Sequence, residues 1–106
     1  MDRLFLIVRS DLQPGLQMAQ AAHALSAFAA AYPEEHARWR LSSNNLVCLS
    51  VGTEGELRAT GAKALLRGAL VTVFTEPDLD GQATAAAISG EAKGALRTLP
   101  LALRAA

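Results

Sequence analysis

Two groups of polar side chains in this sequence have the residue types needed for chemistry. The first is Arg9, Asp11, Gln20 and His23, where a short apolar run gives way to an Ala-rich segment. Histidine titrates near neutral pH, so it can accept or donate a proton during a reaction. On a helix that otherwise reads as apolar, His23 could instead be a structural histidine held by a hydrogen bond. The first group therefore predicts either acid–base chemistry or a polar packing contact.

The second group places three carboxylates within five residues, at Glu76, Asp78 and Asp80. Neighbouring carboxylates repel one another, which can raise the pKa of one of them enough for acid–base catalysis. Their oxygens could also bind a hard divalent cation, although the spacing does not match an EF-hand loop. The remaining interpretation is an acidic, solvated hairpin turn.

Other motifs give little sign of a further site. The sequence has no Walker motif, GxGxxG, HExxH, CxxC or G-x-S-x-G. Cys48 is the sole cysteine, so an intramolecular disulfide is excluded, and its apolar neighbours predict a buried small hydrophobic residue. His36 and Trp39 lie in a charged segment that predicts a surface histidine and a packing tryptophan. The alternative for Trp39 is a stacking surface for a base or a partner protein.

The first half of the chain predicts a strand followed by two helices. Residues 4–8 form a continuous apolar run that is typical of a buried strand, and residues 11–15 contain turn formers. Helices are predicted over residues 16–32 and 33–41, the second beginning at Pro33. In the longer helix we expect Gln17, Gln20 and His23 on one side, and Met18, Ala22, Leu25 and Phe28 facing the sheet.

The second half predicts three strands and two helices. Strands are expected over residues 46–51, 70–74 and 82–89, the last despite its alanines. Thr53 and Glu56 form a capping box for a helix that ends near Arg67, with Leu57, Ala64 and Leu65 on its inner side. A final helix is expected over residues 91–103, interrupted near Pro100.

The element order β-α-α-β-α-β-β-α predicts an α/β fold. We expect a single domain over residues 1–106, built as a four-stranded mixed β-sheet flanked by helices on both faces. Ligands bind outside the carboxyl ends of strands in such sheets. Both polar groups are therefore expected at one edge of the sheet.

The amino-acid composition and net charge exclude further classes of function. The chain has 106 residues, 51% of them hydrophobic, and a formal net charge of zero. It lacks the basic footprint of a dedicated nucleic-acid binder, which argues against strong non-specific RNA binding. No apolar run reaches the ~20 residues of a membrane span, and no signal peptide is recognised, so we expect a soluble, cytoplasmic protein with no membrane partner. The high apolar content favours self-association, and we expect a homodimer.

Residues 6–15 followed by residues 19–24 resemble the opening of the type II peptidyl-tRNA hydrolases. That opening is an apolar strand, an Arg, an Asp-Leu pair, a Gly-containing loop and an Ala-Gln-x-x-His-Ala helix. Residues 74–88 resemble the family's later strand, acidic loop and Gly-x-x-Thr step, with Gly81 and Thr84 in the corresponding places. The resemblance implies a four-stranded mixed sheet, often dimeric, and hydrolysis of the ester bond between a peptide and the 3′ end of tRNA, without a metal or cofactor.

The resemblance, together with the predicted strand ends, indicates the site residues. The candidate catalytic residues are Asp11, His23, Glu76 and Asp78, and the candidate substrate-binding residues are Arg9, Gln20, Gln82 and Thr84. His23 and one carboxylate, Glu76 or Asp78, would activate water while Asp11 orients the site. Gln20 and Thr84 would hold the substrate, and Arg9 would contact a phosphate.

The sequence departs from the family in its first loop. The family usually has Gly-Lys-Gly-Lys there, whereas residues 14–17 read Pro-Gly-Leu-Gln and no lysine precedes Lys63. Two further hypotheses follow. The domain could bind a protein partner or small ligand without hydrolysing it, or it could hydrolyse esters or amides of small substrates.

Overall fold

A computed structural model of the protein describes residues 2–104. Its helices and strands are β1 (Arg3–Arg9), α1 (Pro14–Ala31), α2 (Pro33–Leu41), β2 (Asn45–Val51), α3 (Glu54–Leu66), β3 (Val71–Glu76), β4 (Gln82–Ser89) and α4 (Lys93–Leu96). Single turns of 3-10 helix over Pro77–Leu79 and Gly90–Ala92 precede β4 and α4. The predicted element order and α/β class are confirmed. Within the described range, no helix combines the length and apolar character needed to span a membrane.

The four strands form one mixed sheet in the order β2-β1-β4-β3. β1 and β2 are parallel, and β4 runs antiparallel to both of its neighbours. The carboxyl ends of β1, β2 and β3 therefore lie at the same end of the sheet as the start of β4. We call this end the carboxyl edge.

Helices cover both faces of the sheet, as predicted. Leu4, Leu6 and Val8 of β1 pack with Ala24 and Phe28 of α1 on one face. The alternate residues of β1 pack on the other face with α3 and with the segment around α4. The alternation of side chains along a strand produces these two apolar layers.

β4 occupies an interior position even though alanine disfavours strands. Ala85, Ala86 and Ala87 are fully buried between α1 on one face and α3 on the other. We infer that their small side chains allow both helices to approach the sheet closely. The strand therefore forms because of its position in the sheet and not because of its intrinsic propensity.

A β-bulge at Thr84 changes which face of the sheet the side chains of β4 occupy. Phe74 pairs with Ala85, but Thr75 pairs with Ala83, so Thr84 is the extra residue. Ala85 packs in the α1 layer and Ala83 in the α3 layer. Thr84 also turns toward α1, where it reaches Gln20. Bulges redirect side chains in this way next to functional sites.

The predicted orientation of α1 is right for Leu25 and Phe28, which pack toward the sheet, and wrong for Met18 and Ala22. Gln17 and Gln20 are 5% and 1% exposed, whereas Met18 is 64% exposed and Ala22 also faces solvent. Gln20 is buried with both of its amide atoms hydrogen-bonded, and the Gln17 Nε2 donates to the Leu12 carbonyl oxygen. Hydrogen bonding thus outweighs side-chain polarity in setting the buried side of this helix.

The capping prediction for α3 is confirmed, but one inner residue is not. The Glu56 amide donates to the Thr53 Oγ1 at 3.1 Å, and the Glu56 carboxylate accepts from the Gly52 amide at 2.8 Å. Leu57 and Ala64 are buried, while Leu65 is 58% exposed. The prediction of Leu65 on the inner side is therefore wrong, because the buried stripe of this helix passes through Ala64 instead.

The predicted final helix over residues 91–103 is right as far as Leu96 and wrong beyond it. α4 ends at Leu96, and the following segment instead extends along the outer edge of β2. The Ser50 amide donates to the Pro100 carbonyl oxygen at 3.0 Å, and the Ala102 amide donates to the Cys48 carbonyl oxygen at 2.9 Å. Proline does not continue a helix readily, and the open edge of β2 offers this segment backbone partners.

Candidate functional site

Gln20 links α1 to two strands at the carboxyl edge. Its Nε2 donates to the Glu76 Oε1 at 3.0 Å, and its Oε1 accepts from the Thr84 Oγ1 at 2.5 Å. Gln20 is 1% exposed and Thr84 is fully buried. The two bonds fix the orientation of the carboxamide, and the amide in turn holds the Glu76 carboxylate.

His23 lies on the same side of α1, three residues after Gln20. Its imidazole stacks on the Phe74 ring with a centroid separation of 4.7 Å and an interplanar angle of 14°. The residue as a whole is exposed, and within residues 2–104 its ring nitrogens form no protein hydrogen bond. Stacking therefore holds the ring, which leaves the nitrogens accessible for proton transfer.

Glu76 is the carboxylate that joins this arrangement. Its pKa lies below the ordinary value, chiefly because the Gln20 side chain donates to it, with the Asp78 backbone N–H and the nearby His23 charge adding to the effect. The expected rise in pKa from neighbouring carboxylates is thus wrong for Glu76, because hydrogen bonds to its charged form prevail. The Asp78 side chain is exposed and lies outside this network. We call Gln20, His23, Glu76 and Thr84 the Gln20 group.

Arg9 and Asp11 form a second arrangement at the same edge. The Arg9 Nε and Nη2 donate to the two Asp11 oxygens at 3.0 and 2.8 Å. The Arg9 Nη1 donates to the Gln82 Oε1 at 2.8 Å and to the Ala83 carbonyl oxygen at 3.0 Å. These bonds lower the pKa of Asp11 and raise that of Arg9. We call Arg9, Asp11 and Gln82 the Arg9 group.

Sequence reasoning missed a residue beside the Arg9 group. The Glu54 Oε2 accepts from the Ala83 backbone amide at 2.7 Å, and that bond is the main reason for the lowered pKa of Glu54. The sequence did contain a signal for Glu54, because this acidic residue begins the helix that follows the carboxyl end of β2. Phe74, which holds the His23 ring, was also missed, because nothing in the pattern of β3 distinguishes it from a core residue.

The carboxyl edge thus brings together seven of the eight candidate residues, in two groups. Strand alternation places Arg9 on the face of Phe5 and Ile7, which is the α3 face, whereas the Gln20 group lies on the α1 face. The start of β4 joins them, because Gln82 belongs to one group and Thr84 to the other. Within residues 2–104, no three His, Cys, Asp or Glu side chains converge as a metal-binding group.

The other residues considered for chemistry lie away from the Gln20 group. Trp39 is 4% exposed and its Nε1 donates to the Asn45 carbonyl oxygen at 2.9 Å, so it is a packing residue. His36 lies against the Trp39 ring at a centroid separation of 5.5 Å. Cys48 is half-buried beside the α1 layer, and burial raises the pKa of its thiol.

Comparison with known proteins identifies the family. The sequence model of the family described as peptidyl-tRNA hydrolase PTH2 matches residues 3–99, a range that includes every helix and strand described above. No curated protein matches the chain. The family match covers the first polar loop, the helix with Gln20 and His23, and the acidic turn before β4. The chain therefore belongs to the peptidyl-tRNA hydrolase PTH2 family.

Proposed function

We propose that this protein hydrolyses the ester bond of peptidyl-tRNA in translation, using its own side chains and no metal ion. The observation that carries the proposal is the Gln20 group, in which a fixed carboxylate and an accessible imidazole flank a buried amide. Membership of a peptidyl-tRNA hydrolase family supports the substrate class. Together, the geometry and the family support hydrolysis of an acyl ester.

In the proposed reaction, His23 acts as the general base. Its imidazole takes a proton from a water molecule while the water oxygen attacks the ester carbonyl carbon. The imidazolium then returns the proton to the 3′ oxygen of the ribose as the carbon–oxygen ester bond breaks. Glu76 is ionised at neutral pH, so its charge favours the imidazolium that forms between these steps. Gln20 keeps Glu76 in place.

In the proposed site, the Arg9 group positions side chains that contact the substrate at the carboxyl edge. Four of the five Arg9 N–H groups already have protein partners, which favours a role in holding Asp11 and Gln82 over direct contact with a phosphate. The Asp11 side chain is 41% exposed and can still accept hydrogen bonds from the substrate. Gln82 can donate through its amide nitrogen, since Arg9 uses only its carbonyl oxygen.

A second candidate function is ligand or partner binding without hydrolysis. The engagement of Arg9 favours it, because residues 9–17 then offer no unengaged cation to stabilise an oxyanion or a phosphate. Hydrolysis of small esters or amides is the related alternative. It predicts turnover of such substrates without competition from tRNA.

The test is hydrolysis of purified N-acetyl-aminoacyl-tRNA in the presence of EDTA. We expect turnover above a protein-free blank, and a loss of about 10²–10⁴-fold in His23→Ala. His36→Ala is the matched control, since His36 lies on α2 and contacts Trp39, and it should retain full activity. Circular dichroism establishes that each variant is folded.

Each outcome decides between the functions. Folded wild-type protein with no turnover would move the assignment to the binding domain. Full activity in His23→Ala would remove His23 from the mechanism while leaving the hydrolase assignment intact. Activity abolished by EDTA and restored by a divalent cation would contradict metal independence.

A further inference from the structure

Two adjoining cavities lie beside the start of α1, on the side away from the Gln20 group. The larger cavity, of about 490 Å³, has a mixed lining that includes Ser10, Ser50, Pro100 and Arg104. An apolar cavity of about 270 Å³ is lined by residues of β1, α1, β2 and the final segment, including Cys48 and Ala22. Gln17 and Leu103 line both cavities, so the two form a continuous groove.

Gln17 lines this groove and carries an unpaired acceptor beneath its surface. Its Nε2 donates to the Leu12 carbonyl oxygen at 2.6 Å, but within residues 2–104 its buried Oε1 has no hydrogen-bond partner. Gln17 is 5% exposed, so this oxygen lacks the hydration that an exposed amide would have. Leaving a buried carbonyl oxygen unpaired is unfavourable. A ligand N–H would relieve that cost once the Gln17 carboxamide rotates to bring its Oε1 to the surface of the groove.

The rim of the groove also indicates a ligand. Met18, Leu101 and Leu103 are 64%, 58% and 47% exposed, and all three line one or both cavities. Leu103 has a φ of 56°, in the left-handed region that a branched residue rarely adopts. Backbone strain and exposed apolar surface are both typical of ligand-binding positions.

The larger cavity also contains a positive charge, that of Arg104. Arg104 lines this cavity and, within the described residues, forms no salt bridge. The groove thus offers an apolar volume, an acceptor for an N–H, and a cation. An N-acylated amino acid with an apolar side chain and a free carboxylate has the complementary groups.

We propose that this groove binds the carboxyl-terminal residue of a peptide. The side chain would enter the apolar cavity, the backbone N–H would donate to the Gln17 Oε1, and the carboxylate would pair with Arg104. The source of this ligand rests on the proposed function, because hydrolysis of a peptidyl ester releases a peptide with a free carboxylate. The groove would therefore retain the product that the carboxyl edge releases.

Four small probes separate the three contacts. N-acetyl-L-leucine carries all three groups. N-acetylglycine lacks the apolar side chain, N-acetyl-L-leucinamide lacks the carboxylate, and 4-methylpentanoate lacks the N–H. Dissociation constants are measured on the full chain by NMR, following the Gln17 side-chain amide. Protection of Cys48 from alkylation gives a second readout, because Cys48 is the sole cysteine and lines the apolar cavity.

We expect N-acetyl-L-leucine to bind at least about tenfold more tightly than N-acetylglycine, since burial of the leucine side chain drives binding. The amide and the 4-methylpentanoate should each bind a few-fold more weakly than N-acetyl-L-leucine, and N-acetyl-L-leucine should slow alkylation of Cys48. Equal affinity for the leucine and glycine probes, or no response to any probe, would overturn the proposal.

Substitutions locate the binding. Ala22→Trp should abolish binding by filling the groove from an exposed helix position, and Arg104→Gln should remove the preference for a carboxylate. Ala30→Trp, also exposed on α1, and Arg97→Gln are the matched controls and should bind like the wild type. Full binding in Ala22→Trp would place the ligand elsewhere and contradict the proposal.

The two proposals fail separately. If N-acetyl-L-leucine binds but peptidyl-tRNA is not hydrolysed, the groove is a site for carboxyl-terminal residues and the proposed function is wrong. If hydrolysis occurs and no probe binds, the groove proposal is wrong and the hydrolase stands.

Discussion

Two threonines on neighbouring strands have buried hydroxyl groups with different hydrogen bonding. The Thr84 hydroxyl donates to the Gln20 Oε1, and its loss would leave that oxygen buried without a partner. The Thr72 hydroxyl is also buried but has no partner within residues 2–104. A polar group that is satisfied in the folded state stabilises it, whereas an unsatisfied one is a cost. The two positions therefore form a natural matched pair.

Thr84→Val should lower the free energy of unfolding by about 1–3 kcal/mol, because it orphans the Gln20 Oε1. Thr72→Val should be neutral or stabilising, since it replaces an unpaired hydroxyl with a methyl group of similar shape. Urea denaturation of both variants measures the difference. Equal destabilisation would show that the Thr84 bond contributes nothing specific.

Gln20 should set the pH at which Glu76 loses its charge. Its hydrogen bond is the largest cause of the lowered Glu76 pKa, so Gln20→Met should raise that pKa toward its ordinary value. Glu76 would then lose its charge at a higher pH as the solution is acidified.

Titration of the Glu76 side-chain carbon by NMR measures the shift without relying on activity. Thr72→Val is the control, because the Thr72 hydroxyl bonds neither Gln20 nor Glu76 and its loss should leave the titration in place. An unchanged titration in Gln20→Met would mean that the solvent, and not the amide, sets the charge of Glu76.

At the scale of elements, the sequence predicted where most helices and strands lie. α2 and β4 have the predicted bounds, and the other early elements differ by a few residues at their ends. These boundaries follow from local signals such as Pro33 and the Thr53 cap, which act within one turn. The final helix was predicted too long because the residues after Leu96 form backbone hydrogen bonds with β2, which lies far away in sequence.

The orientation of α1 and the bulge at Thr84 were beyond sequence reasoning. Gln17 and Gln20 are buried by contacts with residues outside α1, which the hydrophobic periodicity of the helix cannot reveal. An Ala-rich helix also has little difference in hydrophobicity between its faces. The bulge depends on the pairing of β4 with β3. The candidate residues were thus predicted as a set, while their division into the Gln20 and Arg9 groups required the structure.

The start of α1 offers a stability prediction at the element scale. Gln13 occupies the N-cap position with extended backbone angles, but its side chain makes no capping hydrogen bond. Serine can accept from a free amide in the first turn. Gln13→Ser should therefore raise the free energy of unfolding by about 0.5–2 kcal/mol in urea denaturation. Gln13→Ala serves as the control, and an equal gain there would rule out capping as the cause.

The whole molecule has zero net charge but an uneven distribution of it. Six of the ten acidic residues lie at or next to the carboxyl edge, on its loops or at the start of α3: Asp11, Glu54, Glu56, Glu76, Asp78 and Asp80. Arg38 and Arg40 of α2, together with Arg67, lie toward the opposite end of the sheet. The acceptor end of a tRNA would therefore approach the proposed site against a negative potential.

This asymmetry predicts that removing charge from the turn before β4 improves substrate binding. Asp80→Asn keeps a residue that tolerates the positive φ of 56° at this position. It should lower KM for peptidyl-tRNA by a factor of about two to five at low salt, with kcat unchanged. The effect should disappear at high salt, because screening removes interactions between exposed charges.

Glu34→Gln is the matched control for charge alone, since Glu34 lies on α2 at the other end of the molecule. It removes the same charge from the chain and should leave KM unchanged. Equal effects of the two substitutions would show that net charge, and not the acidic edge, governs the encounter with tRNA. A KM that is insensitive to salt in every variant would instead mean that phosphate contacts contribute little to binding, which would favour a small substrate over tRNA.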